Sequence, residues 1–439
     1  MLLEFKAKNY KTFKDELVFS MLAAPKQKGL DYSVIKRKIG SKKINVLSAA
    51  VVYGPNASGK TNIIGAMDTF KNIVLRGHIR NTNDKSFPNV AAYNLELIPN
   101  SIANVNEPSL FSMKFYCDEM LIEYVLEADL GRFLEKEYKR RIVYEELKID
   151  SKTMFLRSDR IIKIDDPAVD EVMKKVGDDN FADIVFDNLM SDELFLINGY
   201  KSIVNAKIVS IITKWLENKF VVIYRSDKIE SYRSLDEHTY IDLMLSKAAN
   251  IFGASNLIGF AKGENEAKSK ICTIIEKDDL GNNIAIPINV IESYGTVRFA
   301  NMFPIVASVI SKGGVLIVDE FDASIHPMAL MSIINIFHDN EINVNGAQLI
   351  FNTHNPIFLN SNIFRRDEIK FVERDEETGY STHYSLSDFG TSGENGVRKS
   401  EDYMKNYFIS RYGAIRDIDF TDVFEEIIKE CKGVEEWQE

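Results

Sequence analysis

The chain has 439 residues, 45% hydrophobic and 27% charged, which excludes disorder as a description of the whole. Its 54 lysines and arginines against 65 aspartates and glutamates leave a net charge of −11; that argues against a general coater of nucleic acid but permits a local basic patch. Cys117, Cys272 and Cys431 lie far apart without paired spacing, so no disulfide framework or zinc site is expected, and a reducing compartment fits. The opening MLLEFKAKNYKTF carries lysines where a secretory leader needs an apolar stretch. No apolar run approaches the ~18 residues that span a bilayer. A soluble, cytoplasmic protein is expected. The length allows about three domains, or one large core with an insertion.

In chain order, Leu3, Phe5 and Ala7 alternate with Glu4, Lys6 and Lys8, a half-buried strand. Glu16–Met21 is a second strand candidate, and residues 36–43 (KRKIGSKK) read as a basic turn. Val46–Tyr53 is a nearly continuous apolar run of the kind buried on both faces of a parallel sheet. A glycine-containing loop follows, then a helix over Thr61–Leu75. From Leu110 to Leu156 charged and apolar residues alternate between turn signals, predicting antiparallel strands. Val169, Val172, Met173 and Val176 have the spacing of one helix face, and Ile184, Leu189, Ile208 and Ile212 lie in segments poor in turn residues. Residues 271–291 suggest a hairpin, followed by a helix at Thr296–Ser311, a strand at Val315–Val318, a helix from Pro327 and a strand at Gln348–Asn352. The chain divides on this reading into residues 1–160 (first part of the core, with the phosphate loop and a β lobe), 161–270 (a mainly helical insertion) and 271–439 (second part of the core).

Four motifs carry chemistry. Gly54–Thr61, GPNASGKT, fits the phosphate-binding loop G-x-x-x-x-G-K-[ST]. There backbone N–H groups curl around phosphates, Lys60 reaches the outer ones and the Thr61 hydroxyl holds magnesium. In GGVLIVDEFDASIHP an apolar strand ends in Asp319 and Glu320; the first carboxylate suits a magnesium shell and the second can polarise an attacking water. In ESYGTVR, Ser293 and Gly295 open a helix, either as a second anion site or, for Ser293, as a plain cap. A second anion site in one chain suggests that it completes the nucleotide site of another subunit. In FNTHNP, His354 follows a strand end, either touching a terminal phosphate or water or serving the packing there. Lys11 lies near the nucleotide or on the plain surface. Tyr138–Arg141 and Arg365–Arg366 read as solvated faces or local salt bridges.

The order of loop, long insertion, S-x-G-T, DE and His resembles the ABC-type ATPases of the SMC and overcoming-lysogenization-defect kind. The opening LLEFKAKNYKTF and FDASIHP resemble the same group, with Asp322 on its dimer-interface loop. A closer resemblance is to single-chain ATPases of bacterial phage defence: the RloA and AbiL-type abortive-infection ATPases and the AriA ATPase of PARIS. It rests on FRRDEIKFVERDEETGYSTHYSLSDF and on the tail VRKSEDYMKNYFISRYGAIRDI, where Ser410 and Arg416 replace a Gly and a Pro of the recurring ending. In the signature, Tyr294 and Thr296 stand where L-S-G-G-Q has Gly and Gln.

The resemblance implies an α/β P-loop NTPase fold of ABC-ATPase type, with an antiparallel β lobe and a helical insertion. It implies ATP and Mg2+ as cofactors. Gly54, Pro55, Asn56, Ala57, Ser58, Gly59, Lys60, Thr61 and Asn62 of one chain would face Ser293 and Gly295 of another across sandwiched nucleotides. Thr61 and Asp319 would hold the metal. Lys60, Glu320 as general base and His354 at the terminal phosphate would carry the catalysis. The glutamine that often contacts magnesium is not placed; the region around Asn94 is left unassigned. The function implied is an ATP-hydrolysing sensor and switch of an anti-phage system. It would form a dimer or larger homo-oligomer and control a separate effector, a Toprim-like nuclease, in response to a phage-encoded trigger, with no membrane involved. The alternative is an SMC-like DNA repair or DNA-processing ATPase; DNA as a partner stays open.

Overall fold

The computed structural model describes residues 1–25, 27, 30–40, 42–80, 97–102, 107–132, 138–158, 161–169, 187–224, 232–233, 240–261, 269–276, 283–391 and 396–435. At the centre is a six-stranded sheet in the order Phe220–Ile223, Val315–Val318, Gln348–Asn352, Ala49–Tyr53, Ile369–Arg374 and Ser381–Ser385. The first five strands are parallel, and only the last runs against its neighbour. VLIV, QLIFN and AAVVY are buried at every position, as strands covered on both faces must be. Ala50, Val52, Ile317 and Ile350 face a layer holding the helices Lys60–Arg76 and Ala206–Asn218. Val51, Leu316, Val318 and Phe351 face the helices Tyr294–Lys312 and Pro327–His338. The result is the three-layer α/β fold of a P-loop NTPase.

The antiparallel lobe is a seven-stranded sheet, from Ile161–Ile164 through Lys152–Ser158, Arg141–Ile149, Met120–Asp129, Ser109–Cys117 and Leu2–Lys8 to Leu17–Ser20. Gln348 ties it to the core. Its Oε1 accepts from Leu2 N at 2.7 Å, and its Nε2 donates to the carbonyls of Leu2 and Leu47, both at 3.0 Å. A smaller sheet joins Tyr232–Arg233, Ser269–Glu276 and Leu257–Ala261, with Asn283–Pro287 paired to Ser269–Glu276. That pairing is the hairpin expected over 271–291, but Ile288–Ile291 is a helical turn instead of strand.

Three other expectations change. Residues 36–43 are not a turn but most of a two-stranded ribbon, Val34–Ile39 against Lys42–Leu47. The apolar run Val46–Tyr53 is split at Ser48, whose Oγ donates to Ser33 O as the chain passes from ribbon to core sheet. The segment 161–270 is mixed. Its apolar FVVI forms the edge strand of the central sheet, and further strands belong to the smaller sheet. Of its expected helical residues, Ile208 and Ile212 lie in the helix Ala206–Asn218 and Leu189 lies before it. Val172, Met173, Val176 and Ile184, like Asn94, fall outside the described residues.

Glu145 anchors the helical segment to the β lobe. Fully buried, it accepts hydrogen bonds from Phe195 N (2.8 Å), Leu196 N (2.7 Å) and the Tyr124 hydroxyl (2.8 Å), with Arg157 Nη1 at 3.5 Å. Burial raises its pKa, and Arg157 and these donors oppose the rise. Glu145→Ala is expected to destabilise the protein by about 3–5 kcal/mol, because it strands a buried guanidinium and several donors. Urea unfolding of the variant measures this; a loss below about 1 kcal/mol would contradict the anchor. Cys117 and Cys272 are buried, and neither joins a disulfide among the described residues. Among the described residues no helix is long and apolar enough to cross a membrane.

Candidate nucleotide site

The strand Ala49–Tyr53 runs into the loop 54–59, which opens directly into the helix Lys60–Arg76. Two glycines are dictated by close approach. A Cβ on Gly54 would lie 2.2 Å from the Val372 carbonyl oxygen; one on Gly59, at φ 111°, would lie 2.8 Å from Thr12 Oγ1 and 2.9 Å from Ser381 Oγ. Ala57 also adopts a left-handed conformation, φ 62°. Ser381 Oγ donates to Ser58 O at 2.5 Å, and Asn62 Nδ2 donates to Thr12 Oγ1 at 2.9 Å, so the loop is braced from two sides. Helical geometry leaves the N–H groups of Lys60 and Thr61 without intrahelical acceptors. The buried Ser58 Oγ has no hydrogen-bond partner among the described residues. An orphaned buried hydroxyl beside first-turn amides and a lysine fits an anionic, oxygen-rich ligand such as a nucleotide polyphosphate.

Lys60 is buried, and its Nζ donates to the carbonyls of Gly54 (2.7 Å) and Pro55 (2.8 Å). Burial lowers its pKa to about 8, against the pull of Asp319 and Glu320. Asp319, 5% exposed, ends the strand Val315–Val318, one strand removed from the loop's own strand. Its Oδ1 accepts from Thr61 Oγ1 at 3.0 Å and from Asn352 Nδ2 at 2.6 Å. A hydroxyl and a carboxylate oxygen so placed are the donors that magnesium takes beside phosphate oxygens. Thr61 and Asp319 are therefore the residues that fit the metal.

Asn352 also fixes the next residue: its Oδ1 accepts from Glu320 N at 2.5 Å. The Glu320 carbonyl accepts from Arg298 Nη2 (2.6 Å) and from Ala323 N (3.1 Å). Held this way, Glu320 takes φ 49° and leaves its side chain exposed, where a carboxylate can meet a water. His354, two residues beyond Asn352, is also exposed. Its pKa is lowered, first by partial burial and then by the Lys60 charge, with Asp322 and Asp319 opposing. A neutral imidazole at that place can accept or donate one hydrogen bond.

Ser293 and Gly295 stand apart from this cluster. Ser293 caps the helix Tyr294–Lys312, its Oγ accepting from Thr296 N at 3.2 Å, and stays exposed. Gly295 packs so close beneath the loop after Glu320 that a Cβ would sit 2.5 Å from Ser324 O. The capping role is present, and both residues lie at the helix start, Ser293 exposed and Gly295 half-buried. Lys11 is not a plain surface lysine: it is half-buried, its Nζ donates to Tyr224 OH at 3.1 Å, and it precedes Thr12, which braces the loop. Arg365 and Arg366 are buried, not solvated. Arg365 pairs with Asp367 through Nε and Nη2, both at 2.9 Å, and Arg366 donates to the carbonyls of Gly390 and Val397. Arg141 makes a local ion pair with Asp129 at 3.2 Å. Four residues of the site escape sequence reasoning: Thr12, Arg298, Asn352 and Ser381. Asn352 lies inside FNTHNP, but an asparagine at a strand end has too many uses to be singled out.

One family match covers residues 49–193 and 203–360, more than half of the chain, and its description reads "AAA domain, putative AbiEii toxin, Type IV TA system". The chain belongs to this family of AAA domains. In this AAA protein Gly54–Thr61, Asp319 and Glu320 all lie inside the matched residues. No protein of curated function matches it. Among solved structures it is similar to an SMC head bound to the C-winged helix domain of ScpA (13% identity, covering 88% of this chain and 97% of that one, TM-score 0.39). It is also similar to the SMC head domain from Thermotoga maritima (13% identity, 88% and 98% covered, TM-score 0.35).

Proposed function

We propose that this AAA protein binds ATP with magnesium, closes into a dimer around it, and hydrolyses it as the switch of an anti-phage system that controls a separate nuclease effector. The observation that carries the reading is the Thr61–Asp319–Asn352–Glu320 chain of hydrogen bonds. It joins the Thr61 hydroxyl to the Asp319 carboxylate, a pair that would suit magnesium, and sets the exposed Glu320 next to it. ATP would lie along Gly54–Asn62, with Lys60 on its outer phosphates. Bound magnesium would neutralise phosphate charge there. Glu320 would take a proton from the attacking water, and His354 would hold that water or the terminal phosphate. Ser293 and Gly295 would serve the partner subunit's nucleotide, a role open to the exposed Ser293 at this helix start. The sensing role draws on the sequence resemblance to abortive-infection ATPases, and the toxin–antitoxin wording of the family accords with it. The effector, the trigger and the cytoplasmic setting belong to the same proposal.

The shared site has a direct test. Lys60→Ala removes the loop's cation from one chain, and Ser293→Arg blocks the opposite face of the other. Neither variant alone is expected to turn over ATP. Mixing them creates heterodimers with one intact composite site, so steady-state phosphate release should reappear. A mixture as inactive as its components would show that the nucleotide is not shared between subunits.

A further inference from the structure

The ribbon Val34–Ile39 and Lys42–Leu47 takes no part in the nucleotide site. It leads through Ser48 into the beginning of the strand Ala49–Tyr53, whose far end opens the phosphate loop. On the loop beside it, Gly346 packs against Arg37 just before the strand Gln348–Asn352, whose far end leads to His354. The ribbon therefore lies at the opposite end of the parallel strands from Lys60 and Glu320.

Its two faces differ sharply. Ile35 and Val46, directly opposite each other, are buried, and Ile39 and Ile44 pack against the same core. On the other face the register sets Lys36 opposite Asn45 and Lys38 opposite Lys43, and all four are exposed. Residues 34–47 contain five basic residues and no acidic one, in a chain of net charge −11. Like charges directly across a ribbon repel. Among the described residues Lys36, Lys38 and Lys43 take part in no ion pair that would relieve them. The local fold thus concentrates uncompensated positive charge that stability alone would disperse.

We infer that this ribbon face binds the phosphate backbone of duplex nucleic acid without reading its sequence. The charges form a row: Lys36 and Lys38 are two residues apart, about 6.7 Å along the strand. Duplex DNA presents its phosphates in rows at ~3.4 Å of axis per strand. A row suits a polyanion better than a single small anion, and a two-stranded ribbon is narrow enough for a groove. The Asn45 amide can donate to phosphate or sugar oxygens beside the lysines. No aromatic residue lies among these four, so the face offers no platform for stacked single-stranded bases. No apolar residue lies among them either, so it offers nothing to bury in a bilayer.

The test is equilibrium binding of the full chain to a short fluorescent duplex of mixed sequence across a salt series, without nucleotide and with saturating ATP. It does not depend on hydrolysis, so it separates from the ATPase reading. Three phosphate contacts predict that log K falls against log salt with a slope steeper by about 2.7 in wild type than in Lys36→Glu/Lys38→Glu/Lys43→Glu. Over a fourfold rise in salt, that difference is about 40-fold in affinity. The triple arginine variant, Lys36→Arg/Lys38→Arg/Lys43→Arg, is expected to retain binding. Unchanged melting by circular dichroism keeps misfolding from imitating the loss. Equal slopes in wild type and the glutamate variant overturn the inference. So does failure of wild type to bind duplex at about 50 mM salt, or wild-type binding to anionic vesicles or an acidic peptide in place of duplex.

Discussion

Glu320→Gln is expected to lower ATP turnover by about 10²- to 10⁴-fold while leaving nucleotide binding intact. The amide is nearly isosteric but cannot take a proton from water. The features that place the residue are backbone contacts the substitution does not touch: its N–H on Asn352 Oδ1, and its carbonyl under Arg298 and Ala323. The side chain is exposed, so its replacement strands no buried partner. The expected state is a chain that loads ATP and stays loaded. Steady-state phosphate release, set beside binding of a fluorescent ATP analogue, measures the two halves. Equal turnover in variant and wild type would remove Glu320 from the chemistry and leave ATP as a structural ligand.

Lys60→Ala should fail at the earlier step. Lys60 is the cation of the loop; its loss is expected to weaken ATP binding and to abolish hydrolysis and phage protection together. The wild-type protein makes a companion prediction. Burial holds the Lys60 pKa down at about 8, and a polyphosphate binds the protonated form. The charge it needs is fully present below that pH and is lost as pH rises through it. ATP affinity should therefore fall progressively above about pH 8, with proton uptake on binding. Calorimetry in buffers of different ionisation enthalpy measures that uptake. A Lys60→Ala strain that still protects cells as well as wild type would detach protection from nucleotide binding.

Much of this arrangement is legible from residue order. Val315–Val318 and Gln348–Asn352 form over the residues that their apolar runs predict, because each run is bounded by glycine or polar residues and is too short for a helix. The phosphate loop and the acid pair follow from spacing. What lies between them does not. Nothing local in QLIFN says that it sits between Ala49–Tyr53 and Val315–Val318, since pairing partners, one of them about 300 residues away, leave no mark on a five-residue run. The ribbon at 34–47 hides for another reason: Lys36, Lys38 and Lys43 occupy the outward face and break the apparent apolar period, so KRKIGSKK resembles a turn. The edge strand Phe220–Ile223 is masked by its short length within a stretch otherwise rich in helix formers.

The same long-range pairing has a consequence for synthesis. Ala49–Tyr53 leaves the ribosome roughly 300 residues before either of its neighbours, Gln348–Asn352 and Ile369–Arg374. At 5–20 residues per second, roughly 300 further residues take about 15 to 60 s to translate. Throughout that interval AAVVY has both hydrogen-bonding edges vacant, with only the helix Lys60–Arg76 at hand to cover one face. The strand that ends in the phosphate loop is therefore a segment expected to attract chaperones, or to aggregate, while the rest is made.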